Sequence, residues 1–150
     1  MKYKNKLLTG LIFGLLLAPL SAWAGDLPPT DSKPLSEILL SVEQQRLGVF
    51  SEAEFDDGLW ELKVCDSGAC QKLYIAPRSG DEIRRRRVDL DETPPANAKP
   101  ISVIVQSVEA LGLGVITEVE FDDGFWEIDI HKDRRKTKLI VDPITGETKR

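Results

Sequence analysis

An α+β fold of two tandem repeats is what this sequence predicts. Each repeat is one N-terminal helix packed on a three- to four-stranded antiparallel meander. Three observations carry this. FDDGLWEL at 55–62 returns as FDDGFWEI at 121–128. A shift of 66 residues aligns Lys33–Arg84 with Lys99–Arg150 without a gap, with roughly twenty of the fifty-odd paired positions identical. Self-similarity at a fixed period means one supersecondary unit used twice. In both copies the apolar residues begin at helical spacing and then switch to alternation.

Residues 1–24 read as a secretory signal peptide. Lys2, Lys4 and Lys6 precede an apolar run from Leu7 to Leu20, and Ala22-Trp23-Ala24 offers a small-x-small cleavage pattern. The run is short for a membrane span, which needs about 20 residues. Residues 25–32 form a short leader. The first repeat covers 33–87, a proline-containing linker 88–98, and the second repeat 99–150.

Each repeat opens on a helix of about ten residues. Ile38, Leu39 and Val42 share one face in the first, and Ile104, Val105, Val108 and Leu111 do so in the second. Ser36 and Ser102 stand where an N-cap would be, and Gly48 and Gly114 supply a stop. A helix this short is marginal alone and must pack on something.

Alternation follows. Val115, Val119 and Phe121 form one set against Glu118 and Glu120. After Asp123-Gly124, Trp126, Ile128 and Ile130 alternate with Glu127, Asp129 and His131. Asp-Gly between two such runs marks a two-residue type I′ turn, because both central residues need φ > 0. That places Asp57, Gly58, Asp123 and Gly124 in turns and Trp60 and Trp126 in the core. It also sets Phe121 opposite Trp126; a three-residue loop would mix the two faces. A third strand runs over Lys72–Ile75 in the first copy and Lys138–Val141 in the second. A turn and a short last strand or tail follow.

Cys65 and Cys70 are the only cysteines. They flank the four residues Asp66–Ala69, and parity puts both on the outer sheet face, opposite each other. Export favours a disulfide, which in so small a loop contributes about 2 kcal/mol. Structural zinc wants four ligands, and the one histidine is His131.

The stretches GVITEVEFDDGFWEIDI and LIVDPITGETKR resemble the PepSY domain, and GVFSEAEFDDGLWELKV with LYIAPRSGDEI matches it more loosely. There Ala76 and Arg78 stand where the second copy has Asp142 and Ile144. The resemblance implies a non-catalytic binding module of a secreted or membrane-attached bacterial protein, related to peptidase propeptides. It offers no catalytic residues to carry over.

The net charge is −5, and −8 once the three signal-peptide lysines are removed. That balance argues against nucleic-acid binding. No P-loop, H-E-x-x-H or G-x-S-x-G motif is present, so no enzyme activity, cofactor or metal is expected. The acidic residues are more informative. The hairpin register sets Glu54 opposite Glu61 and Glu120 opposite Glu127 on the outer face, with Glu52, Glu118 and Asp129 nearby. Like charges directly opposite destabilise a sheet pair. The face is either a solvated acidic surface or one that meets a basic surface, the chain's own arginines (84–87, 134–135) or a partner's. The resulting expectation is a periplasmic or secreted binding module that restrains a peptidase or binds another exported protein, inhibitor-like, with no membrane span after cleavage. An ion-binding or sensory accessory protein using the acidic faces is the alternative.

Overall fold

Leu35, Ile38, Leu39 and Val42 recur at i, i+3, i+4 and i+7, and helix α1 (Leu35–Glu43) buries all four. Four antiparallel strands follow: β1 (Val49–Asp56), β2 (Leu59–Asp66), β3 (Ala69–Ile75) and β4 (Glu82–Val88). The same succession then returns as α2 (Ile101–Glu109), β5 (Val115–Asp122), β6 (Phe125–Lys132), β7 (Arg135–Val141) and β8 (Thr148–Lys149). The structure is a computed structural model describing residues 27–149. The expected signal peptide lies outside the described residues.

All eight strands join one antiparallel sheet in the order β4-β3-β2-β1-β5-β6-β7-β8. The seam between the halves is the pair β1–β5, where Glu52 lies opposite Glu120, Ala53 opposite Val119 and Glu54 opposite Glu118. Ala53 and Val119 are equivalent under the 66-residue shift. A pseudo-two-fold axis therefore passes between them. Both helices cover the same sheet face, and their apolar sides enter a single core with Trp60, Leu62, Leu73, Trp126, Ile128 and Val141. Neither half encloses a core of its own. That fits the thin core of about 3–5 kcal/mol available to some 50 residues.

The expected hairpin turn is present twice. Asp57 and Gly58 have φ of 47° and 79°, and Asp123 and Gly124 have 47° and 83°. Phe55 lies opposite Trp60 and Phe121 opposite Trp126, as the apolar pattern demanded. Each pair packs edge to face, with ring centroids 5.3 and 5.2 Å apart.

Several local expectations are corrected. The helices are preceded by Pro34 and Pro100 rather than capped by their serines. Ser36 and Ser102 lie inside the first turn, and each binds a carboxylate of the other helix. The amide and hydroxyl of Ser36 donate to Glu109, the amide at 3.2 Å. Those of Ser102 donate to Glu43, the amide at 3.1 Å. Each helix C-terminus thus supplies the anion that the other's N-terminus favours, and the reciprocal bonds hold the pair antiparallel. The helices stop at Glu43 and Glu109, before the expected glycines, so Leu111 falls outside α2 and is exposed. Gly48 and Gly114 serve another purpose. A Cβ there would come within 2.4 Å of the carbonyl oxygens of Cys65 and His131, so only glycine lets the backbones approach.

Register shifts between Phe50 and Glu52 and between Ile116 and Glu118 mark bulges at Ser51 and Thr117. Each reverses the parity upstream, so Val115 is exposed and Ile116 buried. The third strands begin earlier than expected, because residues 67–68 and 133–134 form further tight turns with positive φ at all four positions. The loop between Cys65 and Cys70 accordingly shrinks to Ser67-Gly68.

The stretch 88–98, expected as a linker, is tied down. Val88 ends β4. Asp91 accepts from Lys63 at 2.7 Å, and the Glu92 carboxylate accepts from the amides of Asp123 and Gly124, both at 3.2 Å. Pro94-Pro95 and Trp126 line one cavity of about 200 Å³, and Pro28-Pro29 and Trp60 line another of about 230 Å³. These prolines obey the 66-residue shift too, and the turns match: Ser32 N–H donates to Pro29 and Ala98 N–H to Pro95.

Candidate binding surface

The face opposite the helices has no layer packed on it among the described residues. Strand parity puts Glu52 and Glu54 of β1, Glu61 of β2, Glu118 and Glu120 of β5, and Glu127 and Asp129 of β6 there. The register sets Glu54 opposite Glu61, Glu118 opposite Asp129 and Glu120 opposite Glu127. The seam brings Glu52 to Glu120 and Glu54 to Glu118. The sequence-predicted carboxylates therefore form one band across four central strands. Glu52 and Glu118 are expected from sequence only to lie near those pairs; nothing in the alternation says that β1 neighbours β5, where they face Glu120 and Glu54.

Their counter-charges differ from the expected ones. Lys72 of β3 lies 2.7 Å from Glu61 and 3.6 Å from Glu52. Lys136 of β7 pairs with Asp129 and lies 3.8 Å from Glu118, and Lys138 pairs with Glu127. The arginines expected to do this lie elsewhere. Arg84 stacks over the Tyr74 ring at 3.7 Å, Arg86 donates to the Tyr74 hydroxyl at 2.7 Å, and Arg85 pairs with Glu82. Arg135 opens β7 opposite Lys132. The lysines win because they stand on strands adjoining the acidic ones and point to the same face.

Compensation is incomplete at the seam. Burial, and then the charge of Glu52, push Glu54 above the ordinary glutamate range; burial and Glu52 do the same to Glu120. Glu118 is raised to about 7, first by burial and then by sharing a proton with Asp129. Burial also acts upward on Asp129, but the Lys136 ammonium and the Glu118 hydrogen bond outweigh it, and its net shift is downward. Asp129 Oδ1 is buried and unpartnered. A proton on Glu118 would satisfy it, which is the physical reason the pair favours one proton over none.

Cys65 and Cys70 lie opposite each other on β2 and β3 and are joined by a disulfide. Asp57, Gly58, Asp123 and Gly124 occupy the turns, while Trp60 and Trp126 are almost wholly buried. Among the described residues no group of three or more His, Cys, Asp or Glu is placed to hold a metal ion. No helix of the described residues is long and apolar enough to cross a membrane.

The family model described as "Peptidase propeptide and YPEB domain" matches residues 89–150, which run from the ordered stretch before α2 through β8. Those residues are similar to a PepSY domain. In the structure this PepSY-like domain shares its sheet and core with the half that precedes it. A crystal structure of a candidate lipoprotein from Clostridium difficile is similar to this chain at 15% identity and a TM-score of 0.47, over 85% of this chain and 94% of that one. No curated protein matches the chain significantly.

Proposed function

We propose that the protein is an exported, non-catalytic binding module that restrains a peptidase, with both halves, 33–87 and 99–150, serving as PepSY-like units of one rigid body. The family match over 89–150 carries the peptidase reading. The structure supplies the supporting physics. One shared core and a reciprocal helix clasp hold the outer sheet face rigid, so a partner would dock on it at little cost in ordering. Binding works by shape, charge and strand contact, and no bond is made or broken. The secretory leader expected at 1–24 and the Cys65–Cys70 disulfide favour a periplasmic or secreted location. The alternative ion-binding use of the acidic band has less support, because Lys72, Lys136 and Lys138 already sit among those carboxylates.

The test is a titration of residues 25–150 against exported thermolysin-like metallopeptidases. Peptidase activity toward a small chromogenic substrate should fall to near zero at stoichiometric protein. Unchanged activity across the panel, with the chain recovered unbound or digested, would sink the reading.

A further inference from the structure

The feature that the acidic band leaves unexplained is β4. It is the outermost strand at one side of the sheet, seven residues long, with every residue from Glu82 to Arg87 exposed. Edge strands present unpaired backbone donors and acceptors, and proteins usually blunt them with charge. Here the charge is organised. Arg84 and Arg86 stand two apart on the same face, and one buried tyrosine holds both: Arg84 lies 3.7 Å over the Tyr74 ring, and Arg86 Nε donates to its hydroxyl at 2.7 Å. Fixing guanidiniums this way removes rotamer freedom before binding and leaves the remaining N–H donors of each fork for a carboxylate.

The sheet's other side excludes one occupant. There β8 pairs only with Ile140 and Val141, so among the described residues β7 presents Arg135, Lys136 and Lys138 along the rest of its edge. Joining β4 to β4, or β4 to β7, would set cations against cations. A second copy of this chain is therefore the wrong partner for either pairing.

We propose that β4 accepts an extended acidic peptide segment of the partner protein as a ninth strand, with acidic residues at every second position meeting Arg84 and Arg86. Backbone ladder bonds would supply the affinity, and the two fixed guanidiniums would set register and sign. This deepens the peptidase-restraint reading and rests on it for the identity of the partner.

The probe is a dye-labelled peptide of about ten residues alternating Glu and Thr, followed by fluorescence anisotropy with residues 25–150. A Glu–Thr peptide N-methylated at every backbone amide is the control, equal in charge but unable to donate to a ladder. The Glu–Thr peptide should bind at least about tenfold more tightly than the control. Amide exchange should slow along Glu82–Val88, and the double substitution Arg84→Glu with Arg86→Glu should weaken binding by about tenfold or more. If that variant does not fold, Arg84→Lys with Arg86→Lys keeps the charge but not the fork, and should still weaken binding several-fold. No binding, equal binding of the control, protection on another strand, or preference for anionic vesicles over the peptide would each overturn the proposal. So would a charge-reversed variant that self-associates yet keeps the peptide, since the arginines would then only guard the edge. If the arginine variant restrains a peptidase as well as the native chain, the edge assignment falls and the restraint stands. If the native chain binds peptide but restrains no peptidase, the reverse holds.

Discussion

The two halves use one backbone plan and hold the same hairpin in different ways. In the first, Cys65 opposes Cys70 and a covalent bond closes the rung. In the second, His131 opposes Lys136 there, and Lys136 reaches back along the face to Asp129 and Glu118. One rung further along, Lys63 opposes Lys72 in the first half and Asp129 opposes Lys138 in the second. The inner positions of β2 and β6 scarcely differ: Trp60 and Trp126, and Leu62 and Ile128, do the same work. The contrast teaches where the sequence is free. A residue facing the shared core answers to both halves at once, whereas an outward rung answers only to its neighbours on the same face.

The sharpest way to break this comparison is at the tryptophans. Trp60→Ala and Trp126→Ala should each lower stability by about 3–5 kcal/mol, and by similar amounts. Denaturant unfolding followed by far-UV circular dichroism should show one transition in both. A second transition at the native midpoint would mean that the halves hold themselves up separately. Replacing Cys65 and Cys70 by alanine should cost about 2 kcal/mol. Although the bond lies in the first half, amide exchange should loosen in α2 and β6 as well, since one core unfolds as a unit.

The third comparison is electrostatic. Glu118 is raised to about 7 in the folded chain against an ordinary value of 4.5. A carboxyl with a raised folded-state pKa binds protons more tightly when folded, so its contribution is present in full below the unfolded value. It is lost as pH rises from about 4.5 through about 7. The folded protein should therefore gain about 1 kcal/mol on acidification from pH 8 to pH 5, after allowance for solvent screening. Glu118→Gln should raise stability at pH 8 and flatten the profile. Thermal melts across that range decide it. The smallest effect belongs to the helix clasp. Glu43→Gln and Glu109→Gln should each cost about 1 kcal/mol, equal within error because the two bonds are equivalent. A cost at only one of them in chemical denaturation would show that the clasp is one-sided.

Much of this architecture could be read from particular residues. Asp57-Gly58 and Asp123-Gly124 specify turns whose geometry fixes register, so Phe55–Trp60 and Phe121–Trp126 followed without a structure. The bulges at Ser51 and Thr117 leave no such mark, and parity read through them put Val115 inside. The turn at Asp133-Arg134 was hidden because neither residue is glycine. Alternation identifies the acidic face but not the order of strands, so neither the β1–β5 seam nor the lysines that neutralise the face were visible. Pro28-Pro29 and Pro94-Pro95 were legible in principle, since they obey the same shift. Alone they read as leader and linker, because prolines mark breaks.

Ala53 and Val119 face each other where the pseudo-axis crosses the seam, both fully buried. In an assembly of two identical chains the same residue would have to meet itself at that spot. A pair of alanines would leave a hole and a pair of valines would crowd, and dense packing tolerates neither well. Joining the halves in one polypeptide lifts that restriction, because a small and a larger side chain can share the space. The gain from covalent linkage here is thus the right to be asymmetric at the one place where symmetry is most expensive.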